Sequence, residues 1–335
     1  MKILILGGSQ FLGRAYVSQA LARGHEVTTF NRGISGADLP GVEAVHGDRT
    51  DPADLARLVA GRHWDAVVDT AGQQPHDVAR SARLLRDHTD HYTFVSSVHA
   101  FADWPAAVVD ESSPTHPCPA DTPPDQPPGN ALKAGCERAL LENFGERSLI
   151  LNCGLLIGPH EPVGRLPWWL ERMALGGRVL APGDPGRTVQ LIDARDFADF
   201  GLDLLERGET GRYVTTAPAS RTTYGEFLEH CVRATGSDAE LVWADDTALL
   251  AAGVQPWVEL PLWAPDLPDW HGTWRPDASR AAAAGLRNRP LADTVRDTWT
   301  WLQERGPSTR PWAQGDLPLG IDPEKERRIL DRDAS

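Results

Sequence analysis

The segment Gly7-Gly8-Ser9-Gln10-Phe11-Leu12-Gly13 constrains the fold of this chain more tightly than any other stretch. It follows the apolar run Lys2-Ile3-Leu4-Ile5-Leu6 and opens a helical pattern that extends from Phe11 to Arg23. A strand that reverses into a helix within a few residues needs glycine at the sharp turn, and again where helix and strand approach. Gly7 suits the turn and Gly13 the approach. The helix start then presents unpaired N–H groups and a positive dipole end, which favour an anion such as a pyrophosphate. The competing explanation is a turn that serves packing alone.

The first half continues in the same alternation of short β-rich runs and helical patterns, which predicts a parallel sheet covered by helices. Strands are expected at Lys2–Leu6, Glu26–Phe30, Ala44–His46, Ala66–Asp69, His91–Val95 and Ser148–Cys153. Helices are expected at Phe11–Arg23, Asp54–Ala60, Val78–Arg86 and Ala131–Asn143. This is the order of an α/β, doubly wound parallel sheet. Beyond Gly158-Pro159 the pattern loosens into helices at Leu166–Ala174, Asp196–Glu206, Tyr224–Ala234 and Asp293–Glu304. A strand at Thr188–Ile192 is expected to return to the main sheet, and another is expected at Tyr213–Thr216. The expected division is therefore 1–158 with 187–217 returning to it, and a smaller C-terminal substrate domain of 159–186 and 218–335. Between Trp104 and Pro128 lies a stretch dense in Pro, Asp and Ser that can form neither regular helix nor central strand; it is either a surface loop or a lid. Most tryptophans fall beyond residue 160, where core packing is favoured over a stacking platform.

Charge and composition exclude several partners. A formal charge of −14 argues against nucleic acid, which needs a basic face. No run of 18 apolar residues exists to span a membrane, and Met1 leads straight into a strand pattern, so a cytoplasmic chain, monomer or homodimer, is expected. Cys118, Cys136, Cys153 and Cys231 lack the C-x-x-C spacing of a metal site and are expected as free thiols.

The opening segment resembles that of an extended short-chain dehydrogenase/reductase of the NAD-dependent epimerase/dehydratase group. Such enzymes usually carry Gly-x-x-Gly-x-x-Gly. Here Gln10 stands at the middle glycine, as in a subgroup with Gly-Gly-Thr-x-Phe-x-Gly. The resemblance implies cofactor contacts at Gly7, Ser9, Gln10, Phe11, Leu12 and Gly13. It extends to Asn31-Arg32-Gly33, where NAD-specific relatives place an acid on the ribose 2′-OH. Arg32 would instead attract a 2′-phosphate, which favours NADP(H) over NAD(H). By the same resemblance Asp48 and Arg49 lie where the family meets the adenine ring, and Thr70, Ala71 and Gly72 let the cofactor lie against backbone.

The family's chemistry uses a strand-end serine and a Tyr-x-x-x-Lys pair. Phe94-Val95-Ser96-Ser97 resembles the serine segment, which places Ser97 on the reacting oxygen. Lys133 matches the lysine that holds the nicotinamide ribose and depresses the tyrosine's pKa. At the tyrosine position stands Gly129, which neither gives nor takes a proton. His99, two residues beyond Ser97, is the replacement candidate on chemical grounds, with bound water beside it and a loop histidine facing elsewhere as the competing reading. Cys136 and Asp103 are weaker candidates, and Glu137 reads as an exposed or helix-pairing residue. Asn152-Cys153-Gly154 replaces the family's Arg-Pro-Gly, and Val189 stands where nucleotide-sugar enzymes carry a phosphate-binding arginine. The expected activity is NADP(H)-linked chemistry on a small polar hydroxy or carbonyl compound in specialised metabolism. The alternatives are a non-redox lyase, cyclase or isomerase, or a non-catalytic dinucleotide sensor.

Overall fold

The computed structural model describes residues 1–123, 131–219, 221–306 and 311–332. Its centre is a seven-stranded sheet of β1 (Lys2–Leu6), β2 (Glu26–Asn31), β3 (Glu43–His46), β4 (Trp64–Asp69), β5 (Thr89–Ser97), β6 (Ser148–Cys153) and a last strand, Gly211–Thr215. From one edge the order is Gly211–Thr215, β6, β5, β4, β1, β2, β3, and every pairing is parallel. The order reverses between β1 and β4, and ligand crevices of doubly wound sheets open at that switch point, beyond the carboxyl ends of the strands.

The apolar runs explain the layering. Successive strand residues face opposite sides, so strands covered on both faces need continuous apolar runs. Ile3 and Ile5 face one side, with Tyr16 and Val17 of α1 (Phe11–Ala22) and Phe197 of the helix Ala194–Glu206. Leu4 and Leu6 face the other, with residues of α2 (Pro52–Val59), α3 (Pro75–Leu85) and α4 (Leu132–Phe144). Helices α2 and α3 start earlier than the periodicity suggests, because Pro52 and Pro75 occupy first-turn positions where no N–H is needed.

The second core collects α5 (Arg165–Ala174), β8 (Arg178–Pro182), and the helices Tyr224–Thr235 and Leu291–Arg305, with Trp169 and Trp263 fully buried. The expected strand at 188–192 does not return to the main sheet. It divides into Thr188–Val189, antiparallel to Thr222–Thr223, and Leu191–Asp193, parallel to β7 (Leu155–Ile157). The break falls at Gln190, which is buried and whose amide donates to the carbonyls of Ala217 and Pro276. The free edge of β6 is taken instead by Gly211–Thr215, which pairs along Leu149–Cys153. The described part of the Pro-rich stretch holds no helix or strand, only a bridge from Phe101 to Thr115.

Candidate active site

Two connected cavities open at the switch point. The first, about 680 Å³, runs along the carboxyl ends of β1, β2 and β4. Gly7 and Gly8 hold φ of +109° and +103°, where side chains are disfavoured, and a Cβ on Gly13 would stand 2.6 Å from the Gly8 nitrogen. Helix α1 carries no acid in its first turn, so nothing opposes an anion at its N-terminus. Gln10 sits in extended backbone (φ −128°, ψ 151°), which any residue adopts, and its amide donates to the Ser35 carbonyl at 3.0 Å. That is why glutamine can stand where related loops carry glycine. The cradle fits a dinucleotide.

Ser9, Phe11, Leu12, Asn31, Arg32, Asp48, Thr70 and Ala71 line this cleft. The Asn31 amide bridges the Gly7 carbonyl and Asp38, which fixes the strand end. Arg32 is exposed in the cleft mouth. Arg49 turns its terminal nitrogens inward instead, onto Asp69 at 2.9 Å each and onto Ser81 at 2.6 Å. Burial would raise the Asp69 carboxyl, but the Arg49 charge and the bonds from Arg49, Tyr92 and the Ala71 N–H hold it below the usual range. Arg49 therefore reaches the cleft as part of a buried ion pair. Gly72 does not line it; its carbonyl receives Lys133, and a Cβ there would strike Phe94 at 2.6 Å.

The second cavity, about 720 Å³, shares Phe11, Leu12, Thr70, Gln73 and Pro162 with the first and continues toward the second core. Ser97, His99 and Lys133 all line it. Lys133 lies on α4 and donates to the carbonyls of Gly72 at 2.7 Å and Val95 at 3.2 Å, with its ammonium 5.0 Å from the Phe94 ring centroid. The Ser97 hydroxyl accepts the His99 N–H at 3.2 Å, which starts a single helical turn and aims the histidine. The His99 ring stands edge-on to Trp104. Although it has open surface toward the cavity, protein crowds its other sides. That desolvation, with the charges of Arg165 and His116, lowers it to about 4, so the imidazole is neutral at pH 7.

Behind these groups lies a polar cluster that the sequence reading misplaced. Glu137 is buried, not exposed: it accepts from the Ser96 hydroxyl, from the Asn152 amide at 2.7 Å and from Arg212 at 2.6 Å. Asn152 also donates to the Ser97 carbonyl at 3.0 Å. The departure at Asn152-Cys153-Gly154 thus supports the serine strand end from below. Burial pushes the thiols of Cys153 up to about 11 and Cys136 up to about 12, so neither is a nucleophile near neutrality.

Gly129, with Pro127 and Pro128, lies outside the described residues. The chain's four tyrosines are all placed, however, and none lines either cavity. The hydroxyls of Tyr92, Tyr213 and Tyr224 meet Asp69, Glu209 and the Pro261 carbonyl, and that of Tyr16 is buried. Residues 3–93 match the NAD dependent epimerase/dehydratase family. The matched segment runs from β1 into β5 and includes the Gly7–Gly13 cradle. A 2′-dehydrokanamycin reductase of Streptomyces kanamyceticus is 41% identical over 103 residues, covering 30% of this chain and 28% of that one, so the chain matches under a third of that relative's length. A dTDP-glucose 4,6-dehydratase of Mycobacterium tuberculosis is 26% identical over 254 residues, 66% of this chain and 74% of that one. In fold, the crystal structure of the Bordetella bronchiseptica enzyme WbmH in complex with NAD+ superposes with a TM-score of 0.67 at 18% identity, covering 90% of this chain and 98% of that one.

Several lining residues of the second cavity escaped the sequence reading. Glu161 and Arg165 follow the Gly158-Pro159 turn in a stretch without periodicity; the available signal was their i, i+4 spacing around Gly164, which caps α5 with φ +87°. Trp257, Trp270 and Trp274 line the cavity, whereas Trp169 and Trp263 are core, so the tryptophans divide between the two roles considered for them. No group of three or more His, Cys, Asp or Glu that could hold a metal occurs among the described residues, and no described helix is long and apolar enough to cross a membrane.

Proposed function

We propose that the enzyme is an NADP(H)-dependent oxidoreductase acting on a hydroxy or carbonyl group presented in the second cavity, with a proton relay that uses no tyrosine. The observation that carries this reading is the continuity of the two cavities at Phe11, Leu12 and Thr70, with Ser97, His99 and Lys133 on the substrate side of the junction. The second core serves as the substrate-binding unit. A bound nicotinamide supplies or accepts hydride. Lys133, already oriented by the Gly72 and Val95 carbonyls, holds the ribose with its remaining N–H and lends positive charge. Ser97 keeps its own proton free to donate to the reacting oxygen, because its oxygen accepts the His99 N–H. Neutral His99 passes a proton between its two nitrogens or orders a water that does so. Arg32 sets the preference for NADP(H) by meeting the 2′-phosphate.

A second reading, isomerisation or elimination without net redox, is favoured by the one observation that no tyrosine lines the cavities. Gly129→Tyr separates the two. A general acid contributes about 10²–10⁴-fold in rate. On the redox reading the variant gains NADPH-dependent reduction of generic carbonyl compounds. Loss of native turnover with no such gain supports the second reading. A wild type that reduces its substrate rapidly and is indifferent to Gly129→Tyr and His99→Ala would refute the assignment of the site.

A further inference from the structure

The second cavity carries a charge arrangement that its neighbours do not explain. Among the described residues its lining holds three acidic or strongly basic side chains, Lys133, Glu161 and Arg165, in a wall otherwise built largely from tryptophan and aliphatic groups. Lys133 is tethered to two carbonyls. Glu161 is turned into the start of α5, where it accepts the N–H groups of Arg165 at 2.9 Å and Leu166 at 3.3 Å. Its carboxylate reaches the Arg165 guanidinium only at 3.6 Å.

Arg165 is consequently underused. Its Nε is buried and has no hydrogen-bond partner, and its Nη2 makes one long contact, 3.3 Å, with Gln314. The Trp257 ring lies 6.0 Å from the guanidinium carbon. Nε is closed off by protein, so the group meets a ligand through its terminal nitrogens, where Nη2 holds only the long Gln314 contact and Nη1 only the 3.6 Å Glu161 contact; the two terminal N–H₂ groups can donate to a carboxylate in bidentate fashion. Desolvation lowers Arg165 below the ordinary guanidinium range and the Glu161 charge opposes it; the group stays charged, and a guanidinium with so few hydrogen bonds in such surroundings is costly. Beyond this fork the wall is apolar: Trp257 lies against Trp270 and Trp274 with ring centroids 6.1 and 5.5 Å away.

We propose that this site takes a monocarboxylate with an apolar or aromatic body, its carboxylate on the terminal Nη1–Nη2 end of Arg165, its body on the Trp257 wall, and its reacting oxygen toward Ser97. The proposal deepens the oxidoreductase reading and rests on it. A nucleoside diphosphate fits poorly, because two phosphates would enter a wall offering one guanidinium end, with the lining Gln190 uncharged.

The test uses calorimetric titration of the full chain with NADPH bound, so that turnover is not needed. The probes are benzoate, phenylacetate, 3-phenylpropanoate and 4-phenylbutanoate, each against its primary amide. At least one acid should bind about tenfold or more tightly than its amide, the scale of a charge-assisted bidentate pair. Arg165→Gln should remove that preference, and Arg165→Lys should retain only part of it, because the charge remains and the fork does not. Equal binding of every acid and amide by the wild type overturns the proposal whether or not the variants fold. So does UDP or inorganic phosphate binding more tightly than every acid. The NADPH titration that precedes the probes tests the wider reading. NADPH bound without acid preference sinks this proposal alone. Absence of NADPH binding sinks the oxidoreductase reading, and the acid–amide comparison on the free protein then still decides the carboxylate site.

Discussion

Replacing Glu137 by glutamine should destabilise the protein and slow the proposed reaction without weakening cofactor binding. The side chain is 2% exposed and its Arg212 partner 19%, so the pair is only lightly screened by solvent. Glutamine can keep one acceptor for Ser96 and Asn152. It then either turns an amide N–H₂ toward the Arg212 donor or leaves Arg212 without its counter-ion. Breaking one half of a buried pair costs about 3–5 kcal/mol, and the retained acceptor reduces this to about 2–4 kcal/mol. Domains are typically stable by about 5–15 kcal/mol, so the variant should fold and be measurable by urea unfolding. Arg212→Met should cost a similar amount, and the double variant should fall short of the sum by about 1 kcal/mol or more, because each single change strands the other's charge. Arg212 also donates to the Asn152 side-chain oxygen at 3.1 Å, so its displacement loosens the amide that fixes the Ser97 carbonyl, and kcat should fall while the NADPH Kd stays constant. Additive single effects, or a weakened NADPH Kd with unchanged kcat, would refute the network as drawn.

Three further outcomes follow from the same geometry. Arg32→Asp should shift relative affinity from NADPH toward NADH by about 1–3 kcal/mol, read by titration with both cofactors. Gly13→Ala should abolish cofactor binding and lower the melting temperature, since its Cβ would meet the Gly8 backbone at 2.6 Å and no side chain can move to relieve it. His99 is held near 4 against an ordinary 6.5, so as pH falls the unfolded chain takes up the proton first; stability present above about 6.5 is lost between 6.5 and 4. Discounted for the ring's open surface, the loss attributable to His99 is about 1 kcal/mol, and urea unfolding across that range should show it flattened in His99→Gln.

The sheet was legible in the sequence because its strands are covered on both faces and therefore advertise themselves as apolar runs between glycine-marked turns. The cofactor cradle was legible for a similar reason: Gly7, Gly8 and Gly13 are required by backbone geometry, and only one residue type meets the requirement. The inward turns of Arg49 and Glu137 were not legible, because a partner distant in sequence decides whether a polar side chain turns inward. Asp69 captures the first and Arg212 the second, 20 and 75 residues distant. Strand assignment failed at 188–192 for a comparable reason. The β-rich run Thr188-Val-Gln-Leu-Ile192 predicts a strand, but the buried Gln190 amide ties the chain to Ala217 and Pro276 and breaks the run in two.

The placement of the tyrosines bears directly on how charge is handled in the reaction. In a Tyr-x-x-x-Lys site the lysine acts through the phenol, whose pKa it lowers. In this chain Lys133 faces the cavity while the four phenols are held elsewhere. On the oxidoreductase reading proposed above, its charge acts on the reacting oxygen directly, assisted by the Ser97 hydroxyl, which is electrostatic stabilisation rather than proton transfer. A neutral His99 is suited to complement this arrangement, because an imidazolium beside Lys133 and Arg165 would add a third like charge to a poorly hydrated space. The neighbouring charge that lowers His99 also fits the cavity to an anion. The tyrosine-free wall and the underused Arg165 are therefore two sides of one electrostatic design. A carboxylate that neutralises Arg165 lifts one of the charges depressing His99, so the imidazole becomes a better proton acceptor when such a compound is bound.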